Sequence, residues 1–480
     1  MRQEQAPYHI GSRRELFVDR FLIDQMDGMS PAMAQPRDEG IVFRCDKPWE
    51  GRYSGYGTVM KVSDGDYRFY YSGCPAYTSD TELERQACVA TSSDGVHWQR
   101  PDLGLFEVYG TRANNVILDE APLALNFAPF EDRPTAPASE RFKAVGGTRY
   151  TGLVMFSSHD GFRWRKMFGG RAVMQGEYLD SKNLVFWSES EGCYVMYARV
   201  WRGGWEGHRW IARATSENLE QWSALEAVRI LHDDRDVPLE HYYHSGANPY
   251  FRAPHIQIAL CSQLTERRTL GEDQIGTLDL EKPERAEARS GGGLMSSRGG
   301  GVFQRTFMEE FIRPPMGAEN WLARCNYPAV GVVRTSPAEM SIYVHVHSGL
   351  LASAVRRYTL RPDGFASLRA PFAGGRMVTR PLVFDGRSLS VNYATSSRGF
   401  LRIQFETPEG EPIEGFTFGD CEEIAGNEIA EAVHFNGLAD VGTLSGRPVR
   451  LHITMQDADL YALQFRDGSE QSGDKDTLRT

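Results

Sequence analysis

Three carboxylates stand at comparable distances ahead of aromatic-rich segments of this chain. Asp132 lies ten residues before Phe142, Asp180 fourteen before Tyr194, and Glu50 seventeen before Tyr67. Acids gathered on converging loops can do acid–base work. One carboxylic acid protonates a departing oxygen, a second attacks or activates water, and a third holds the ligand or tunes a neighbour's proton affinity. Glu50, Asp132 and Asp180 form the expected catalytic set, with Asp19 in reserve as a ligand-binding acid. Tyr56, Asn183, Arg199, His244, Arg313, Trp321 and Arg324 are the expected binding residues. Aromatic faces stack on flat apolar ring surfaces, and guanidinium forks grip hydroxyls or carboxylates. Trp187, Trp201 and Trp205 add to the stacking candidates, and the run Glu240–Asn248 reads as a pocket rim.

Each acid also has a structural reading. Asp132, before Arg133-Pro134, and Asp180, before Ser181-Lys182, can each cap a turn. Glu50 sits beside Trp49 as a surface residue would, and Asp19 beside Arg20 fits a structural ion pair. His345 and His347 alternate on one strand face, but no third ligand at metal-site spacing accompanies them, so no metal or cofactor is expected.

The elements that must position these residues are strands. Ser92-Ser93-Asp94-Gly95-Val96-His97-Trp98 and Ser158-His159-Asp160-Gly161-Phe162-Arg163-Trp164 are near copies of one motif. Ser216–Trp222 and Ser297–Phe303 are weaker copies, and Arg361-Pro362-Asp363-Gly364-Phe365 is a truncated one. Their turn positions 94, 160, 218, 299 and 363 are spaced by 66, 58, 81 and 64 residues. Asp-Gly between apolar runs favours a tight turn, and a regular period of such turns marks a radial repeat. Five repeats predict five blades, each built from alternating strands such as Tyr56–Val62 and Tyr67–Gly73. The turn acids read as scaffold. The wide 81-residue spacing holds an insertion, about 265–293, expected to be a solvated loop, or else a lid or subunit contact. After Leu368 the period is lost. The expected fold is all-β: a five-bladed β-propeller over 1–370, a C-terminal β-sandwich over 371–467 and a disordered tail over 468–480.

Composition bounds the partners. A net charge of −11 argues against nucleic acid or an anionic membrane as the main partner. No apolar run approaches the roughly 20 residues needed to span a bilayer. The polar segment 1–14 shows no secretory h-region, and the seven scattered Cys have no CxxC spacing, which together give the expectation of a cytoplasmic protein with reduced thiols. Whether the chain forms a homo-oligomer is left open.

Several segments carry a family likeness. Leu16-Phe17-Val18-Asp19, Pro48-Trp49-Glu50-Gly51, Asp132-Arg133-Pro134 with Glu140-Arg141-Phe142-Lys143, Asp180-Ser181-Lys182-Asn183, Phe311-Ile312-Arg313-Pro314 and Asp459-Leu460-Tyr461 resemble bacterial proteins described as glycoside hydrolase family 32 N-terminal-like. Families 43, 62 and 68 share the propeller. The likeness covers nearly the whole chain and implies a propeller followed by a sandwich, and the absence of a visible secretory signal gives the expectation of a small saccharide as substrate. The likeness also implies that Asp132 and Asp180 occupy second- and third-blade acid positions. The chain lacks both the Trp-Met-Asn-Asp-Pro-Asn-Gly run and the Glu-Cys-Pro motif of invertases, which separates it from fructan chemistry. The expected activity is glycoside hydrolysis. A phosphorylase using Arg313, Arg324 and His244 for phosphate, and a non-catalytic carbohydrate-binding propeller, are the alternatives.

Overall fold

A computed structural model describes residues 6–75, 85–180 and 182–467. The chain forms two compact units, one of residues 35–360 and the other of residues 1–34 with 361–480. The expected boundary at 370/371 therefore moves to 360/361, and the N-terminal segment joins the C-terminal unit. The reason is strand pairing: Ser30–Met33 pairs with Ala366–Ala370, Ile23–Asp27 with Gly375–Thr379, and Arg14–Leu16 with Arg450–Arg466. The tail 468–480 lies outside the described residues.

The unit 35–360 is a β-propeller whose strands alternate between faces and bury both. The first sheet runs Gly55–Ser63, Asp66–Gly73, Gln86–Ser92 and Val116–Leu118. The second runs Ala128–Glu131, Phe142–Thr148, Gly152–Ser158 and Arg165–Lys166. The third runs Leu184–Ser188, Cys193–Arg202, His208–Ser216 and Glu226–Ala227. In the last, Glu339–Val346 and Ala354–Leu360 follow an inner edge split into Tyr327–Pro328 and Val333–Ser336, and the outer strand is Arg37–Arg44. These four are regular antiparallel blades, against the five expected. The remaining sheet departs from that pattern: it has seven strands built around Ala253–Glu266 and Ala288–Ser297, with a parallel pairing of Arg229–His232 to Val302–Gln304.

The ring closes twice. At the rim, Arg37–Arg44 from the start of the unit completes the last blade. At the axis, Val59 N donates to the Val330 carbonyl at 2.8 Å and Val330 N to the Gly57 carbonyl at 3.0 Å, joining the first and last inner strands in parallel. Asp19, the reserve acid, takes no part in this closure. It lies instead in the turn after Arg14–Leu16, in the other unit, where its Oδ1 accepts from Phe21 N at 3.0 Å.

The repeated motif is a capped turn. Asp94 Oδ1 accepts from Val96 N at 2.7 Å and His97 N at 2.8 Å; Asp160 Oδ1 accepts from Phe162 N and Arg163 N, and Asn218 Oδ1 from Glu220 N and Gln221 N. Gly95 and Gly161 adopt left-handed φ of 73° and 75°, which Leu219 takes at 68° without glycine's freedom. The truncated fifth copy behaves differently. Asp363 belongs to the other unit, fully buried, bonded to Arg14 Nη1 and Asn392 Nδ2, both at 3.0 Å.

The insertion is packed. Its short helices Glu272–Ile275 and Pro283–Glu287 bring Leu270 and Ala286 against Leu322 and Cys325 in a small apolar cluster. In the second unit the long strands Ser388–Glu406 and Arg450–Arg466 pair along most of their length in an eight-stranded sheet. Its core stacks Phe384 on Phe465 with ring centroids 3.7 Å apart, beside Phe405.

Candidate active site at the axial mouth of the propeller

The loops that lead into the inner strands all reach one end of the propeller axis. Asn126 precedes Ala128–Glu131, Asp180 precedes Leu184–Ser188, and Arg324 precedes Tyr327–Pro328. Nδ2 of Asn126 donates to the Asp180 carbonyl, which ties two of these loops together. Tyr56, Asn126, Arg324 and Asn326 have φ of 57°, 59°, 63° and 55°. Non-glycine residues in this region are strained, and such strain collects where surrounding contacts fix a functional geometry.

The centre of the mouth is an ion pair. Arg199, buried on the strand Cys193–Arg202, donates from Nη2 to Oδ2 of Asp180. Arg199 is 2% exposed and Asp180 34% exposed, so the acid faces the opening while its counter-charge is held below. Burial raises the Asp180 pKa, but Arg199 and then Arg324 outweigh it and hold the carboxyl below its ordinary value.

Tyr243 lies beside this pair. The guanidinium carbons of Arg199, Arg209 and Arg324 lie 5.0, 5.5 and 5.7 Å from its ring centroid. Burial pushes its phenol up, and the guanidiniums of Arg324 and Arg199 overcome that and bring it down to about 8. Tyr56 is driven the opposite way, well above its ordinary value, chiefly by burial and then by Tyr243. Two phenols in one site with proton affinities pushed apart supply an acceptor and a donor.

Lys182 and two histidines form the floor. Lys182 Nζ donates to the carbonyls of Tyr56 and Gly57, the latter at 2.8 Å, and burial lowers its pKa well below the usual range. His345 Nε2 accepts from Gly57 N at 3.0 Å, and His244 Nε2 lies 2.8 Å from Ser262 Oγ. Burial, with Lys182 nearby, depresses both imidazoles to about 3, so each is neutral at physiological pH. His345 is thereby committed to backbone, while His347 leaves the strand with a φ of 61°.

An aromatic wall rises on one side. Trp201 and Trp205 have centroids 5.4 Å apart, Tyr178 lies 4.9 Å from Trp205, and Arg149 lies 5.1 Å from Trp205 and 4.5 Å from Tyr150. Trp205 is 43% exposed and Tyr150 68% exposed, as stacking surfaces must be. Arg209 sits between Trp201, 4.6 Å away, and Tyr243.

The structure separates the three expected acids. Asp132 follows the strand Ala128–Glu131 where Asn126 precedes it, so it lies at the far end of that inner strand, roughly 13 Å away for four residues at about 3.3 Å each. There it accepts from Tyr194 Oη and Arg133 N, both at 2.8 Å, and lies 3.4 Å from Lys143 Nζ. Glu50 is fully buried and saturated: Oε1 accepts from Arg100 Nε at 2.7 Å and from Tyr71 Oη, and Oε2 from Arg100 Nη2 at 2.8 Å and Lys47 N at 3.0 Å. Both acids are engaged by these contacts, away from Asp180. Asp19 belongs to the other unit.

Of the expected binding residues, Tyr56, Arg199, His244 and Arg324 are at the mouth, and Asn183 Oδ1 accepts from Arg199 N at 3.3 Å. Arg313 is exposed and faces Glu310, and Trp321 is 42% exposed with Nε1 donating to the Pro315 carbonyl, contacts that lie outside the Asp180 cluster. Tyr243, Arg209 and Lys182 complete the site without having been predicted singly. The signal for Tyr243 was present in the polar and aromatic run Glu240–Asn248.

No family model matches the chain, and no curated protein matches it in sequence. Solved structures do resemble it. A glycoside hydrolase family 32 β-fructofuranosidase of Bombyx mori is 10% identical over 89% of this chain and 95% of its own, with a TM-score of 0.41. A β-1,2-mannobiose phosphorylase of Listeria innocua is 10% identical over 68% and 96%, with a TM-score of 0.43. A family 62 α-L-arabinofuranosidase catalytic domain of Coprinopsis cinerea is 11% identical over 67% and 97%, with a TM-score of 0.38. These are likenesses of fold.

Proposed function

We propose that this chain is a carbohydrate-active enzyme that cleaves a glycosidic bond at the axial mouth of its propeller. One observation carries the reading: an ionised carboxylate, Asp180, held open to solvent by buried Arg199 beside an exposed aromatic wall. Trp205 and Tyr150 offer flat faces to a sugar ring. An ionised Asp180 stabilises positive charge at the anomeric carbon or takes a proton from attacking water. Tyr56, which keeps its proton, is placed to donate toward a departing oxygen, and Tyr243 is the second proton acceptor. The expected set of Glu50, Asp132 and Asp180 contracts to Asp180, with phenols in place of the other carboxylates.

The test is turnover of a panel of nitrophenyl furanosides and pyranosides by wild type, with and without inorganic phosphate. Release of nitrophenol without phosphate supports hydrolysis, and release that requires phosphate replaces hydrolysis by phosphorolysis. Binding of sugars with no turnover anywhere in the panel would overturn the enzymatic reading in favour of a binding module.

A further inference from the structure

The mouth gathers three guanidiniums, of Arg199, Arg209 and Arg324, around the one ring of Tyr243. Arg199 is paired with Asp180, and Arg209 with Glu266 at 3.1 Å, and Arg324 lies over the Tyr243 ring that both of them also approach. Arg149 is close enough to lower the Asp180 carboxyl, and Arg85 to lower the Tyr56 phenol. Among the described residues, the buried donor atoms here without a hydrogen-bond partner include Nε and Nη1 of Arg199, Nε of Arg209 and Nδ2 of Asn183. A buried donor without an acceptor is costly, and a cluster of them calls for a ligand rich in oxygen. Arg199 itself is almost fully buried, so the arrangement is a built pocket and not a patch of surface arginines.

We infer that Arg199, Arg209 and Arg324 form an oxyanion-binding subsite next to Asp180. Guanidinium forks match the geometry of carboxylate and phosphate oxygens and bind them bidentately, whereas a neutral hydroxyl offers a single, weaker acceptor. The ligand is either the acidic substituent of a sugar or inorganic phosphate; the two share the same chemistry of recognition. The inference rests on the axial mouth being the sugar site and adds the class of substrate or co-substrate that it takes.

The experiment is calorimetric titration of the full chain with galacturonate, galactose and inorganic phosphate at constant ionic strength, for wild type, Arg324→Gln, Arg209→Gln and Arg369→Gln. Arg369 is an exposed residue of the other unit and serves as the control. Galacturonate or phosphate should bind at least about tenfold more tightly than galactose, and each mouth variant should weaken that binding about 10- to 100-fold, as loss of a charge-assisted contact does. Retained melting transitions show that the variants fold, and using two of them guards against one that does not. Tighter binding of galacturonate identifies an acidic sugar, and tighter binding of phosphate identifies phosphate. Equal affinity for galactose, or mouth variants no weaker than Arg369→Gln, would overturn the subsite. Anion binding without turnover of any glycoside leaves the subsite standing and removes the enzymatic reading; turnover of neutral glycosides with no anion binding does the reverse.

Discussion

Arg199 donates to Asp180 from beneath, across nineteen residues of chain and from one strand to the loop that precedes its neighbour. The buried guanidinium fixes the carboxylate's charge and its direction, and leaves one face of the acid open to the propeller axis. Every other feature of the mouth is arranged around that pair.

Replacing Tyr243 tests the electrostatics. An ordinary tyrosine titrates near about 10, and this one is brought down to about 8 by Arg324 and Arg199 against the effect of burial. An acid whose folded pKa lies below its unfolded value stabilises the fold above the unfolded value and loses that contribution as pH falls through the folded one. Between about pH 8 and 10 wild type should therefore gain stability relative to Tyr243→Phe. Turnover that uses the phenolate should rise around pH 8, in wild type only. Phenolate absorbance and denaturant titrations at several pH values measure both; a phenol titrating near 10 would remove Tyr243 as an acceptor.

Glu50 should behave as a structural residue. It is fully buried and bonded to Arg100, Tyr71 and Lys47 N. Glu50→Ala takes from Arg100 its buried partner, leaving it Asp46 at 3.3 Å and the Arg44 carbonyl, and should cost about 3–5 kcal/mol of stability, with turnover per folded molecule unchanged. Urea unfolding paired with active-site-normalised kinetics checks this, and a large loss of turnover at unchanged stability would return Glu50 to the catalytic set.

The aromatic wall should act on affinity. Trp205→Ala removes an exposed stacking face and should raise KM about 2- to 10-fold with kcat nearly unchanged. An equal fall in kcat would mean that Trp205 acts on the reacting centre.

Much of this architecture was legible in the chain. Short alternating strands and the Asp-Gly motif identify the blades, because an Asx-capped turn needs only its own few residues. The fifth copy misled, since Asp363 has the turn's residues but is consumed by Arg14 and Asn392 in the other unit. Asp180 was legible as an acid ahead of an inner strand. Asp132 was misplaced because distance to the next aromatic strand does not distinguish the loop entering an inner strand from the loop leaving it; Ala128–Glu131 is so short that the two differ by a few residues. Tyr243 and Arg209 were hidden for another reason. Their roles arise from side chains on different blades meeting at the axis, and no spacing within one segment encodes that.

The most direct test compares Asp180→Asn with Asp132→Asn in steady-state turnover of the best glycoside. With Asp180 at the reacting centre and Asp132 a strand's length away, kcat should fall about 10²- to 10⁴-fold in the first variant and stay within about twofold of wild type in the second once folding is matched. Collapse of turnover in Asp132→Asn, with Asp180→Asn still active, would contradict the placement of the active site at the axial mouth.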